Sequence, residues 1–176
     1  MNILFIAGGT GGHVFPALSI AKEFSKKGNN ITWVGQKGSL EERICEEEQF
    51  VFKAINSRGF LKKSLLQKIV SLYFFLITLV QSFYIILKLK PSFVVSTGGH
   101  TSLATSLVGA LFCPLFIHEQ NSIAGLTNRI LHRFSKLTFE AFPGTFNYSN
   151  HKVKCVGNPL RKEIIDYKFQ TESDDS

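Results

Sequence analysis

The stretch that decides the fold is ILFIAGGTGGHVFPA at residues 3–17, which reads as an apolar run, a glycine-rich turn and an apolar helix. The apolar run predicts a buried parallel strand ending at Ala7, and the glycines allow a tight turn after it. The helix predicted from about Val14 points its positive N-terminus back at the turn, with Thr10 and His13 at the junction. The stretch therefore predicts an anion site.

The spacing GGTGGH departs from the GxGxxG dinucleotide fingerprint, so it does not predict a nicotinamide site. The alternative is a tight turn that holds no ligand. A second turn favours a ligand, because FVVSTGGHTSLATSLVGA at residues 93–110 repeats the arrangement with Gly98, Gly99 and His100. Two such turns at the carboxyl ends of neighbouring strands can face one cleft, and their backbone donors suit a diphosphate or a nucleotide. Two unrelated structural turns remain the alternative.

A third segment, PLFIHEQNSIAGLTNRIL at residues 114–131, carries polar side chains directly after an apolar strand. His118, Glu119, Gln120 and Asn121 are consecutive, and a helix with Asn128 follows. Such side chains suit sugar hydroxyls, diphosphate oxygens or a proton transfer. The alternatives are a structural role for the histidine and, for the glutamate, a carboxylate stabilised by a helix N-terminus.

The rest of the chain alternates strands with helices, which predicts a parallel sheet of about six or seven strands. Further strands are predicted at residues 30–35, 50–55 and 153–156. Further helices are predicted at residues 39–48, with a solvated charged face, at 65–89, and from 161 to 167. A loop is predicted at residues 143–150.

Composition agrees with a single globular domain. The chain has 176 residues, 44% of them hydrophobic, and a formal net charge of +7. The basic balance suggests an anionic partner such as a phospholipid surface or a phosphorylated substrate, and no nucleic-acid module is visible. Cys45, Cys113 and Cys155 form neither a zinc pattern nor a disulfide framework, which indicates a reducing cytoplasm. No export signal is evident.

The long helix at residues 65–89 needs a separate interpretation, because its apolar run approaches the length of a membrane span. Polar residues share one side of the helical wheel, which favours a helix packed on a sheet. They are Gln67, Ser71, Thr78, Gln81, Ser82 and Lys88. The start of the helix and the segment before it mix aliphatic and basic groups that can rest on an anionic lipid surface. This membrane patch comprises Leu61, Lys62, Lys63, Leu65, Leu66 and Lys68; a core helix with a solvated basic entry is the alternative.

Four motifs carry a family resemblance: GGTGGHVFPA, STGGH, HEQNSIAGLTNRIL and, at residues 156–161, VGNPLR. In this order they resemble the acceptor half of the peptidoglycan N-acetylglucosaminyltransferases of glycosyltransferase family 28. The chain departs from the family at His100, where a tyrosine is usual. The resemblance implies a GT-B fold, of which this chain is the N-terminal half: an α/β, Rossmann-like parallel sheet with helices on both faces.

The resemblance also implies an activity and a site. The activity is inverting transfer of N-acetylglucosamine from UDP-N-acetylglucosamine to an undecaprenyl-diphosphate-linked muramyl-pentapeptide (lipid I to lipid II), with no cofactor and no obligatory metal. His13 is the expected general base, because an imidazole can accept a proton near neutral pH. The expected donor-binding residues are Thr10, Gly11, Gly12, Asn121 and Arg161. The expected acceptor-binding residues are Gly98, Gly99, His100, Glu119 and Asn128.

The resemblance further implies an organisation and a location. Residues 1–165 are expected to form the acceptor-binding domain and 166–176 a short acidic tail, with the donor domain absent and the isolated chain inactive. The expected location is peripheral, on the cytoplasmic face of the bacterial inner membrane. The alternative function is a non-catalytic, membrane-recruiting subunit of a split transferase that docks a separate donor-domain subunit.

Overall fold

The computed structural model describes residues 1–57, 65–146 and 152–159, without the side chains of residues 65, 66 and 68. Strands and helices alternate through most of this length. The strands are β1 (Asn2–Ala7), β2 (Asn30–Gln36), β3 (Val51–Ile55), β4 (Phe93–Gly98), β5 (Leu115–Glu119), β6 (Leu137–Glu140) and β7 (Val153–Cys155). The helices are α1 (Gly11–Lys26), α2 (Leu40–Glu47), α3 (Leu65–Leu89), α4 (Ser102–Phe112) and α5 (Leu126–Leu131).

The strands form one parallel seven-stranded sheet in the order β3-β2-β1-β4-β5-β6-β7. Successive side chains of a strand point to opposite faces, so Ile3 and Phe5 pack with α1 and α2 while Leu4 and Ile6 pack with α3, α4 and α5. The predicted Rossmann-like sheet with helices on both faces is confirmed. The strand order reverses between β1 and β4, where such sheets place their ligands.

Helix α2 forms where the sequence predicts it and buries one carboxylate. The segment is helical as expected, and Ser39 caps it by accepting a hydrogen bond from the Glu42 amide at 3.3 Å. Its solvated face carries the exposed residues Arg43, Glu46 and Glu47, whereas Glu41 lies on the buried side with Ile44 and Cys45 and is 1% exposed. The missing side chains of Gly8 and Gly35 leave the space that the Glu41 carboxylate fills, since a Cβ on either glycine would lie 2.5 Å from Glu41 atoms.

The long helix α3 has the predicted bounds and turns hydroxyl groups toward the protein. Ser82 Oγ lies 2.7 Å from Thr105 Oγ1 of α4, and Thr78 Oγ1 donates to the Asn56 carbonyl at 2.5 Å. Ser71, Thr78 and Ser82 are all buried. The helix therefore packs on the domain, as predicted. The contact includes part of its polar stripe, namely Ser71, Thr78 and Ser82.

The opposite side of α3 is apolar and open to solvent. We call it the outer face, and it comprises Ile69, Leu72, Tyr73, Leu76, Val80, Phe83, Tyr84 and Leu87, each at least 45% exposed. The segment Ile69–Leu89 is long and apolar enough to cross a membrane by length and composition, and 22% of its most apolar window is buried. An apolar surface of this extent is typical of a contact with lipid or with another protein.

Candidate functional site

The two glycine turns touch each other at the switch point of the sheet. Ala7 of β1 pairs with Gly98 of β4, so the turns that follow these strands are neighbours. Gly99 has φ +96°, and a Cβ at this position would lie 2.0 Å from the Gly8 carbonyl oxygen. A glycine at residue 99 therefore permits both this backbone conformation and the close approach of the two turns.

Both turns lead into helix N-termini. Helix α1 begins at Gly11, before the predicted start near Val14, and α4 begins at Ser102; neither has an acidic residue in its first turn. The first amide groups of a helix lack partners within the helix, and the helix dipole adds partial positive charge there. Two such termini at one edge of the sheet favour an anion, as the sequence predicts.

A cavity of about 360 Å³ opens beside the two turns. Its polar side carries the predicted residues Thr10, His13, Gly98, Gly99, His100 and Asn128. Its apolar side is formed by Phe75 of α3, Leu103 of α4, and Leu126 and Ile130 of α5. The cavity thus combines anion-binding backbone with an apolar wall that reaches α3.

His13 is held in place by Thr97, a residue to which the sequence assigned no role. The Thr97 carbonyl oxygen lies 2.9 Å from His13 Nδ1, and the Thr97 hydroxyl donates to the His13 carbonyl at 2.7 Å. Thr97 is fully buried, whereas His13 is partly exposed and lines the cavity. The structure therefore presents His13 as an oriented imidazole, which suits the predicted role as a base.

Glu119 organises the loop after β5. Its carboxylate is fully buried and accepts from the backbone amides of Asn121 at 3.1 Å and Gly125 at 3.0 Å. It also accepts from the side chains of Asn121 at 2.8 Å and Asn128 at 3.0 Å. Hydrogen bonds to a charged group contribute about 1.5–3 kcal/mol each, so Glu119 fixes the loop and the Asn128 amide from below the cavity.

Asn128 is the buried polar residue that the cavity leaves incompletely bonded. Its Nδ2 donates to Glu119 and lies 3.3 Å from the His118 carbonyl and 3.4 Å from that of Thr97. Its Oδ1 has no partner among the described residues. Buried polar atoms are almost always bonded, so Oδ1 is the atom of Asn128 whose capacity to accept a hydrogen bond is unused.

The segment after β7 is attached to the end of β5. His118 Nε2 lies 3.0 Å from the Gly157 carbonyl oxygen, and Asn158 Nδ2 donates to the Gln120 carbonyl at 3.2 Å. Burial lowers the pKa of His118, although its bond to Gly157 opposes that change. A neutral imidazole must carry its hydrogen on Nε2 to donate to this carbonyl. The described part of the VGNPLR motif therefore docks on the HEQN motif.

The predicted residues fall into three groups. His13, Thr10, Gly98, Gly99, His100 and Asn128 line the cavity. Gly11, Gly12, Glu119 and Asn121 adjoin it without lining it; the glycines form the first turn of α1, and Asn121 is exposed. Arg161 and the patch residues Leu61, Lys62 and Lys63 lie outside the described residues, as do the side chains of Leu65, Leu66 and Lys68.

The sequence missed two further buried carboxylates, one on α2 and one at the end of β6. Glu41 is buried beside the first glycine turn, and Glu140 at the end of β6 accepts from the amides of Gly144 at 3.0 Å and Phe146 at 3.1 Å. The position of Glu140 at the carboxyl end of a strand, as with Glu119, was the signal available. Across residues 1–57, 65–146 and 152–159, no group of three His, Cys, Asp or Glu side chains is arranged to hold a metal ion.

Comparison with known protein families agrees with this geometry. Residues 3–140 match the model of the glycosyltransferase family 28 N-terminal domain. The crystal structure of MurG from Acinetobacter baumannii superposes with a TM-score of 0.79 at 30% identity, covering 92% of this chain and 46% of that one.

Two curated relatives share the name UDP-N-acetylglucosamine--N-acetylmuramyl-(pentapeptide) pyrophosphoryl-undecaprenol N-acetylglucosamine transferase. The protein from Blochmanniella floridana is 42% identical over 166 residues, which cover 93% of this chain and 45% of the relative. The protein from Shewanella frigidimarina is 36% identical over 173 residues, which cover 98% and 47%. The chain thus spans about half the length of the curated relatives it matches.

Proposed function

The chain belongs to glycosyltransferase family 28, and from this membership we propose that it binds the acceptor in N-acetylglucosamine transfer from UDP-N-acetylglucosamine to an undecaprenyl-diphosphate-linked muramyl-pentapeptide. The observation that carries the proposal is the contact between the two glycine turns beside one cavity. Two helix N-termini supply donors for the diphosphate. The apolar wall offers a surface for the first part of the lipid chain.

The acceptor sugar would lie between the diphosphate and His13. Its 4-hydroxyl would lose a proton to His13 while its oxygen attacks the anomeric carbon of the donor sugar, and UDP would leave from the opposite side with inversion. Asn128 lines the cavity and its Oδ1 has no partner among the described residues, so a sugar hydroxyl would donate to this oxygen. Glu119 supports this arrangement by holding the Asn128 amide, rather than by contacting the sugar itself.

The test is calorimetry on this chain with two ligands: a water-soluble acceptor analogue with a short prenyl chain, and UDP-N-acetylglucosamine. We expect micromolar affinity for the analogue, about −8 kcal/mol. We expect millimolar affinity or none for the nucleotide sugar, because most uridine contacts are proposed to lie on the donor domain. Micromolar binding of the nucleotide sugar with no binding of the analogue would contradict the assignment of this chain to the acceptor.

We further propose that the chain contacts an anionic membrane peripherally, at the cytoplasmic face, through the outer face of α3. The cavity wall and the outer face adjoin, since Phe75 lines the cavity and Leu76 is 54% exposed. A lipid-linked acceptor could therefore reach the glycine turns while its chain stays in the membrane. The predicted lysines of the patch would add attraction of about 1 kcal/mol each.

Vesicle sedimentation separates the apolar contribution of the outer face from the electrostatic attraction to anionic lipid. The pair Leu76→Gln and Val80→Gln removes apolar side chains from the outer face. The control is Phe134→Gln, which replaces a phenylalanine that is 54% exposed and lies outside α3. We expect the pair to reduce binding to anionic vesicles strongly and the control to leave it unchanged. An equal loss of binding in the double variant and the control, or binding that does not depend on lipid charge and salt, would contradict the proposed membrane contact.

A separate donor-domain subunit stays a prediction.

A further inference from the structure

The side chain of Gln120 lies between two imidazoles at the end of β5. It is 9% exposed, and its amide group contacts Nδ1 of His13 closely while lying 3.2 Å from the Thr97 carbonyl oxygen. Burial lowers the pKa of His118, and an interaction with the Gln120 side chain opposes that change. Gln120 is therefore in a position to influence which ring nitrogen of His13 carries the hydrogen.

The Thr97 carbonyl supplies the first constraint. A carbonyl oxygen can only accept a hydrogen bond, and this one lies 2.9 Å from His13 Nδ1. Nδ1 of the neutral ring must then carry the hydrogen. An N–H of the Gln120 amide cannot bond to that N–H, so the amide must present its oxygen to His13.

His118 supplies the second constraint. Its Nε2 donates to the Gly157 carbonyl at 3.0 Å, so the neutral ring has an acceptor at Nδ1. With the amide nitrogen at His13, both Gln120 Oε1 and His118 Nδ1 are buried without a partner among the described residues. The two ends of a glutamine amide are assigned from their hydrogen bonds. Turning this amide pairs its oxygen with His13 and its nitrogen with His118.

We propose that Gln120 is a positioning residue whose amide oxygen accepts from His13 Nδ1–H and, together with the Thr97 carbonyl, keeps Nε2 unprotonated. When the amide is turned, the Thr97 carbonyl loses Gln120 as a donor but still accepts from the side chains of His13 and Asn128. Nε2 is then the nitrogen left for the cavity, where it can accept a proton from the acceptor hydroxyl. The opposite amide orientation would place the hydrogen on Nε2 and remove that capacity. This inference rests on the proposed role of His13 as the base.

Long-range proton–nitrogen NMR of the histidine rings reads the tautomer directly on this chain. Spectra are recorded at about pH 8.5, where imidazoles are neutral, and His13→Gln assigns the His13 signals. We expect a protonated Nδ1 and an unprotonated Nε2. A protonated Nε2 in the unsubstituted chain overturns the proposal.

Two substitutions test the part played by Gln120. Gln120→Glu keeps an acceptor beside Nδ1 and loses the donor, so we expect the His13 tautomer to be preserved. Gln120→Met keeps the approximate volume and loses both amide atoms but leaves the Thr97 carbonyl beside Nδ1, so we expect the His13 signals to shift part of the way toward the Nε2–H form. Gln81→Met is the matched control, because the Gln81 side chain accepts from the Asn56 amide at 2.9 Å instead of contacting His13.

The outcomes separate clearly. If Gln120 donates to Nδ1 instead, the wild-type ring carries its hydrogen on Nε2 and Gln120→Glu moves it to Nδ1, which is the reverse of our expectation. Identical His13 signals in wild type and Gln120→Met also overturn the proposal. If Gln120→Met does not fold, the wild-type and Gln120→Glu spectra still decide. Failure of the acceptor to bind would contradict the proposed function without altering these spectra.

Discussion

Replacing Gly99 by alanine tests the contact between the two glycine turns. A Cβ at residue 99 would lie 2.0 Å from the Gly8 carbonyl oxygen, and φ is +96°. The left-handed conformation costs an L-residue about 1–2 kcal/mol. Overpacking adds about 1–3 kcal/mol, because the opposing atom belongs to the backbone and cannot turn aside. The expected loss of stability is about 2–5 kcal/mol, or about 4–20 °C in the midpoint of thermal unfolding.

Gly28→Ala is the matched control. Gly28 has φ +76°, and a Cβ there would have nothing within 4 Å among the described residues. This substitution carries the conformational cost alone, about 1–2 kcal/mol. Thermal and urea unfolding followed by circular dichroism measure both variants, and calorimetry with the acceptor analogue measures binding. We expect Gly99→Ala to lose more stability and also affinity. Equal losses in the two variants would refute the close approach of the turns.

Three further predictions concern single side chains. Burial lowers the pKa of His118, so below about pH 6.5 the unfolded chain binds a proton that the folded chain resists. Stability should therefore fall as pH falls from 7 toward 5, and urea midpoints should show a shallower fall in His118→Asn; an unchanged slope would contradict this. Burial, with nearby Glu41, raises the pKa of Cys45 to about 12, so in a thiol-reagent assay near pH 8 it should react far more slowly than exposed Cys155; comparable rates would disprove it. In a chain extended by the second half of a relative, His13→Ala should lower turnover about 10²-fold or more; nearly unchanged turnover would remove the base assignment.

The parts of the fold that follow from local pattern could be predicted from the sequence. Strand, glycine turn and helix are contiguous at residues 3–17 and again at 93–110, so each unit can be predicted from a short stretch of sequence. Ligands bind at the carboxyl ends of parallel strands, which lie at one edge of the sheet. This rule predicts that the two turns lie close together. His13 and Asn128 line the predicted cavity for the same reason.

The parts that depend on distant partners could not be predicted. The buried hydroxyls of α3 bond to Asn56 and Thr105, which lie 22 and 23 positions away from Thr78 and Ser82. A helical wheel records the polar stripe but not these partners. Thr97 orients the His13 ring through hydrogen bonds to a residue 84 positions earlier in the chain, so its role could not be predicted from its neighbours in sequence. Local pattern also could not show that Glu119 turns its carboxylate into the loop rather than toward a ligand.

Backbone NMR of the glycine turns tests the central proposal, acceptor binding at the contact of these turns, most directly. The acceptor analogue with a short prenyl chain is added to the labelled chain, and UDP-N-acetylglucosamine is added to a second sample at the same concentration. The account predicts that the analogue shifts the amide signals of Gly9, Gly98 and Gly99, while the signal of Gly28, a glycine outside the cavity lining, does not move. It predicts little change with the nucleotide sugar. Unmoved turn signals at saturating analogue, or the same shifts with the nucleotide sugar alone, would contradict it.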